Sequence, residues 1–125
     1  MKIDHIQLAF PPGSVDKARK FFVEDLGMVE DERPPQLQKR EGAWFRKDTC
    51  IIHVGVDPDF KPQKKGHPAL IVENIESLYD SLESKGYPLL WEESIEGVKR
   101  FFTEDPFGNR IEFIRDGDGN IQKLC

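Results

Sequence analysis

The sequence predicts an α+β fold built from two βαβββ modules in tandem. Three observations carry this. An alternating apolar segment followed by a helical one occurs twice, opening at Ile3 and again at His67. Each helical segment runs into a glycine, Gly27 in the first and Gly86 in the second, the residue that most readily takes the left-handed conformation after a last helical turn. A polar stretch with two prolines, DPDFKPQKKG from Asp57 to Gly66, separates the two patterns. The expected division is 1–56 for module one, 57–66 for the linker, 67–115 for module two and 116–125 for the tail. Modules of about sixty residues are small for independent cores, so the two are expected to share one.

In chain order, Ile3 to Phe10 alternates as a strand, with Ile6, Leu8 and Phe10 on one face and Ile3, His5, Gln7 and Ala9 on the other. Ser14 is an N-cap candidate, followed by Val15, Ala18, Phe22 and Leu26 at helical spacing. Strands are expected near Met28 to Asp31, over Ala43 to Arg46 and over Cys50 to Val56. Cys50, Ile52 and Val54 share one face of the last; Ile51, His53 and Gly55 share the other. In module two, His67 to Val72 is a strand and Asn74 caps a helix carrying Ile75, Leu78, Tyr79 and Leu82. Leu89 to Trp91, Val98 to Thr103 and Arg110 to Arg115 follow as strands. The last two are joined by the turn Asp105-Pro106-Phe107-Gly108-Asn109, whose residue types suit a hairpin. The tail carries D-G and G-N turn signals and is expected to add a short hairpin or a dimer contact, or to fray.

A net charge of −5 argues against nucleic acid or an anionic membrane surface as the main partner. No apolar run approaches a membrane span, and MKIDHIQLAF lacks the features of a signal peptide. The two cysteines, Cys50 and Cys125, make neither a disulfide framework nor a CxxC pair. These features point to a cytoplasmic protein with a small-molecule ligand. Cys50 is read as a small core residue.

The three histidines of the chain, His5, His53 and His67, all fall on predicted strands, on faces opposite the helix-packing residues. His5 and His67 open their modules; His53 lies in the last strand of module one and Glu112 in the last strand of module two. A lone strand histidine is ordinarily a surface or hydrogen-bonded residue, and a lone mid-strand Glu is ordinarily solvated. Three histidines and a glutamate at repeat-equivalent positions make that account less natural. Together they form a donor set for one divalent transition metal: Zn, Ni, Mn, Co or Fe. Gln7 shares the face of His5. Arg46, Arg100 and Arg110 alternate near the same region, where a solvated face is the ordinary account of each, but Arg110 shares the face of Glu112, where it can pair with an acid or bind a substrate carboxylate or phosphate. Trp44, Phe45, Trp91, Phe101 and Phe102 are mostly core candidates. Gln7, Trp44, Phe101 and Arg110 are the residues expected around a substrate.

DHIQLAF, GHPALIV with its following helix, and above all DPFGNRIEF resemble the vicinal oxygen chelate superfamily. That group includes glyoxalase I, fosfomycin-resistance thiol transferases, extradiol dioxygenases and bleomycin-resistance proteins, and the resemblance runs from Ile3 to Arg115. It implies that the paired modules form a curved, incompletely closed mixed sheet around a metal, and that the protein is a homodimer. It assigns His5, His67 and Glu112 as ligands, and His53 to a position where glyoxalase I has Glu. Glu112 is also the implied catalytic proton shuttle. The implied function is a metal-dependent lyase or isomerase, thiol transferase or dioxygenase acting on a small oxygenated metabolite or antibiotic. The alternative is a non-catalytic drug-binding protein of the bleomycin-resistance type.

Overall fold

The computed structural model describes residues 1–119. It divides into two compact units, Met1–Pro62 and Gln63–Cys125. The expected tail from Asn120 onward, Cys125 included, lies outside the described residues.

The first unit runs β1 (Ile6–Phe10), α1 (Val15–Arg19) continued by a π-helical turn (Lys20–Asp25), β2 (Val29–Asp31), a 3₁₀ turn (Pro35–Leu37), β3 (Gly42–Lys47) and β4 (Cys50–Val56). The sheet order is β1-β4-β3-β2, with β1 parallel to β4 and the other pairs antiparallel. The helix departs from the simple amphipathic expectation. Phe21 and Phe22 are adjacent, yet both are fully buried. Opening the turn, so that the Leu26 amide bonds the Phe21 carbonyl at 3.0 Å, lets both rings face inward. They pack with Phe10, Ala18, Phe45, Ile52 and Val54, and Phe22 stacks on Phe45 at 5.0 Å. Gly27 then takes φ +75° to turn the chain into β2.

The second unit repeats the plan: β5 (Ala69–Val72), α2 (Ile75–Ser84), β6 (Leu89–Glu92), β7 (Arg100–Glu104) and β8 (Arg110–Arg115), in the order β5-β8-β7-β6 with β5 parallel to β8. The Asn74 side chain accepts from the Ser77 amide, the expected N-cap bond. Ile75 and Leu82 of α2 are fully buried, as are Phe101 and Ile111 on the inner sheet face, with Phe113 nearly so. Both units are therefore βαβββ modules with four-stranded mixed sheets.

The turn from Asp105 to Asn109 is a hydrogen-bonded knot. Asp105 Oδ1 accepts from the Phe107 and Asn109 amides, both at 2.9 Å, and Oδ2 accepts from Asn109 Nδ2 at 2.8 Å. Asn109 Oδ1 in turn accepts from the Gln63 amide at 3.1 Å, and the Arg110 amide donates to the Gln63 carbonyl at 2.8 Å. Lys64 Nζ reaches Glu104 at 2.6 Å and the Gly108 carbonyl. The turn thus clasps the first residues of its own unit.

Candidate functional site

β-Ladder register places the candidate residues. In the first unit, His53 of β4 is in register with Gln7 of β1 and Trp44 of β3. In the second, Glu112 of β8 is in register with Ala69 of β5 and Phe102 of β7. His53 and Glu112 therefore hold the same place in their sheets. His5 stands two residues before Gln7, and His67 two residues before Ala69, so these also correspond. Both histidines precede their strands rather than opening them. Ile6 pairs with Ile52, and β4 begins at Cys50, so Ile3 has no β4 residue beside it. In the second unit the Glu112 amide bonds the carbonyl of Pro68, a residue with no amide hydrogen to return.

The second unit brings His67 and Glu112 together. Glu112 is only 6% exposed, so it is not on a solvated face. Its Oε1 lies 3.1 Å from His67 Nε2 and its Oε2 lies 3.3 Å from an Arg100 guanidinium nitrogen. His67 Nδ1 donates to the Lys65 carbonyl at 2.9 Å. That bond fixes the tautomer, because a carbonyl can only accept. Nε2 then faces Glu112 Oε1, and either a proton or a cation must lie between the two lone pairs. An imidazole anchored through its far nitrogen to a backbone carbonyl is the usual support for a metal-ligating histidine. The His67–Glu112 pair fits a divalent ion on this ground.

The first unit is arranged differently. The His53 ring is sandwiched between Trp44, at 4.1 Å and 3° between planes, and His5, at 3.9 Å and 20°. His5 Nδ1 donates to the Asp4 carboxylate at 2.8 Å. Burial, reinforced by neighbouring His5, pushes the His53 imidazole below its ordinary range, while Asp4 pulls the other way. His53 is thus held toward its neutral, ligand-competent form. Ring nitrogens carry their lone pairs in the ring plane, so two stacked rings aim them side by side. Ligation by both His5 and His53 requires one ring to turn. Among the described residues, no group of three or more His, Cys, Asp or Glu side chains forms a metal-binding cluster. The expected donor set of four is present as two pairs.

Of the expected substrate-lining residues, Gln7 is exposed and lies over Gly55, its Nε2 2.9 Å from where a β-carbon there would sit. Trp44 is half-buried in its stack. The Arg110 guanidinium lies 5.2 Å from the centre of the Phe102 ring. Phe101 is a correction. It is fully buried, pairs with Phe113 and meets Tyr79 and Trp91 edge-on, so it belongs to the core under α2. The aromatic beside Glu112 is Phe102, which meets His67 edge-on at 5.3 Å. Arg100 and Phe102 are not among the residues expected around a substrate; from sequence Phe102 reads as a core candidate and Arg100 as part of a solvated face. The hairpin held the signal: if the turn pairs Glu104 with Arg110, then Phe102 faces Glu112 and Arg100 faces Ile114.

No helix among the described residues is long and apolar enough to cross a membrane. The chain is 41% identical to a Bacillus anthracis protein assigned to the glyoxalase family, whose crystal structure superposes with a TM-score of 0.88 over 92% of this chain and 94% of that one. A glyoxalase/dioxygenase from Nostoc punctiforme shares the fold at 20% identity, with a TM-score of 0.75 over 92% of this chain and 90% of that one. A genomically encoded fosfomycin resistance protein from Listeria monocytogenes does so at 12% identity, with a TM-score of 0.77 over 100% and 98% of the two chains. No curated protein matches. The family model for the Glyoxalase/Bleomycin resistance protein/Dioxygenase superfamily matches residues 2–113, and the chain belongs to that superfamily.

Proposed function

We propose that this chain is a divalent-metal-dependent enzyme of the glyoxalase type, acting on a small, oxygenated, anionic metabolite or antibiotic. The observation that carries the reading is the His67–Glu112 pair, with His67 anchored through Nδ1 to the Lys65 carbonyl and Glu112 held through Oε2 by Arg100. In this reading His5, His53, His67 and Glu112 are the metal donors. A bound Zn, Ni, Mn, Co or Fe ion supplies Lewis-acid polarisation of substrate oxygens.

The other roles fall to the protein. Glu112 takes or returns a substrate proton through its carboxylate. His67 and Arg100, one on each of its oxygens, keep that carboxylate oriented. Trp44 presses the His53 ring into place, and Gln7 offers an amide on the same sheet face. Arg110 holds a negative substituent of the substrate. The protein acts as a homodimer, which light scattering on the eluted peak will register as twice the chain mass.

A competing reading is a binding protein that sequesters a planar drug without catalysis. The flat Trp44–His53–His5 stack favours it, because stacked rings suit an aromatic ligand. Metal content of tag-free protein, measured by mass spectrometry on the wild type and His67→Ala, separates the two. About one transition ion per chain, lost in the variant, supports the enzyme. No metal as purified, and none taken up on titration with several divalent ions, moves the assignment to the binding protein.

A further inference from the structure

We infer that Arg100 and Arg110 form a recognition subsite for an oxyanion group beside Glu112, gathered about the Phe102 ring. The inference rests on the enzyme reading and names the class of substrate: one bearing a carboxylate, phosphonate or phosphate. Both guanidinium groups approach the same ring, at 5.6 Å for Arg100 and 5.2 Å for Arg110. A phenyl face holds a guanidinium by its π-cloud and leaves the in-plane N–H donors free for an anion.

The acids near the two arginines are accounted for. Glu112 gives Arg100 a single contact at 3.3 Å, long for a charge-assisted bond, and gives its other oxygen to His67. Glu104 is in register with Arg110 but is bound by Lys64. Glu92 is in register with Arg100 but accepts from the Ser94 amide. Among the described residues, the Arg110 side chain meets no carboxylate within ion-pair distance, and its guanidinium lies over the Phe102 ring.

Arg100 adds a second observation. Its Nε is a buried side-chain nitrogen without a hydrogen-bond partner. A guanidinium held by one long ion pair, with one donor unmet, is poised to shift toward an incoming oxyanion that satisfies that donor. Glu112 is the only carboxylate among the described residues within ion-pair distance of either guanidinium, although Arg100 also acts on Glu92 at longer range, so an incoming oxyanion meets donors that no carboxylate has taken. A bidentate oxyanion matches a guanidinium fork better than chloride does, so the subsite selects shape as well as charge.

The test is a titration of metal-free, full-length protein followed by the arginine Nε–H resonances in ¹⁵N NMR. Methylphosphonate and acetate are the two probes, with sodium chloride at matched ionic strength as control. The expected result is a saturable shift of the Arg100 Nε resonance with one probe or both, weakened about fivefold or more in Arg110→Gln. The probe that saturates at lower concentration identifies the oxyanion as phosphonate-like or carboxylate-like. Shifts no larger than those given by chloride, or saturation unchanged in Arg110→Gln, overturn the subsite. Because no metal is present, a failed titration leaves the metal reading standing. A saturating titration with no metal uptake leaves the subsite and removes the enzyme.

Discussion

Glu112 and His67 meet at 3.1 Å across 45 residues of sequence, and the meeting is set by the parallel pairing of β8 with β5. The contact is not a surface ion pair, because the Glu112 side chain is 8% exposed and that of His67 is 21% exposed. Replacing Glu112 with Gln keeps the shape but removes the charge that a cation needs. Divalent-metal affinity is expected to fall by roughly 10–100-fold or more, with the fold retained. Metal titration monitored by calorimetry, with circular dichroism on the same samples, checks both halves. Full metal affinity and full turnover in Glu112→Gln exclude this residue as ligand and proton carrier.

Phe101 and Phe102 are neighbours with opposite duties, so their alanine variants are expected to diverge. Phe101→Ala empties a fully buried site beneath α2 and is expected to cost about 4 kcal/mol. Phe102→Ala removes a half-buried ring from the arginine side and is expected to cost less than about half of that. Urea denaturation of the two variants is the direct comparison. Equal losses contradict the division of the two faces.

Asp105 is nearly buried, and burial lifts its carboxyl above the ordinary Asp value of 3.8 despite the bonds from Asn109, Phe107 and Gly108 that oppose the rise. An acid with a raised folded value binds more protons folded than unfolded just above pH 3.8. Its contribution to stability is therefore present at low pH and is lost as pH rises through the folded value. Other carboxylates titrate nearby, so the measurable quantity is wild type relative to Asp105→Asn. That difference is expected to move against the wild type as pH rises through this window. A flat or opposite trend in urea midpoints contradicts the burial argument. Asp105→Ala, which removes three accepted hydrogen bonds, is expected to lose roughly 2 kcal/mol at neutral pH.

Gly42 opens β3 where a β-carbon would stand 2.7 Å from the Val54 carbonyl oxygen. The obstacle is backbone, so it cannot swing aside. Gly42→Ala is expected to cost about 2 kcal/mol, seen as a lowered melting midpoint. Gly66→Ala meets nothing within 4 Å and serves as the control with an unchanged midpoint.

Much of the fold is legible because periodicity and punctuation agree. β4 and β8 fall on their expected bounds, since their alternation runs unbroken between turn residues. The first helix is less legible. Spacing at three and four residues describes an α-helix, but the adjacent Phe21 and Phe22 are both drawn inward by a core that no local pattern reports. In β4 and β8, alternation puts His53 and Glu112 in register with Gln7 and Trp44, and with Ala69 and Phe102, off the face that holds Ile52 and Phe113. It misplaces Phe101, because a run of two phenylalanines does not declare which one faces inward; only the ladder counted from the Asp105–Asn109 turn does so. The stacking of His5 on His53 is a matter of side-chain rotation, to which strand periodicity is blind.

The bonds from Asn109 and Arg110 to Gln63 have a consequence for how the linker can evolve. Because the chain is pinned at Gln63 and Lys64, insertions or deletions between Asp57 and Pro62 are absorbed upstream of the pin and leave His67 where it is. The four residues from Lys64 to His67 have no such slack: one residue more or fewer displaces the imidazole from Glu112. Drift in linker length is therefore expected to be tolerated on one side of Gln63 and purged on the other, and a set of single-residue insertions scanned from Asp57 to Pro68 will map that border.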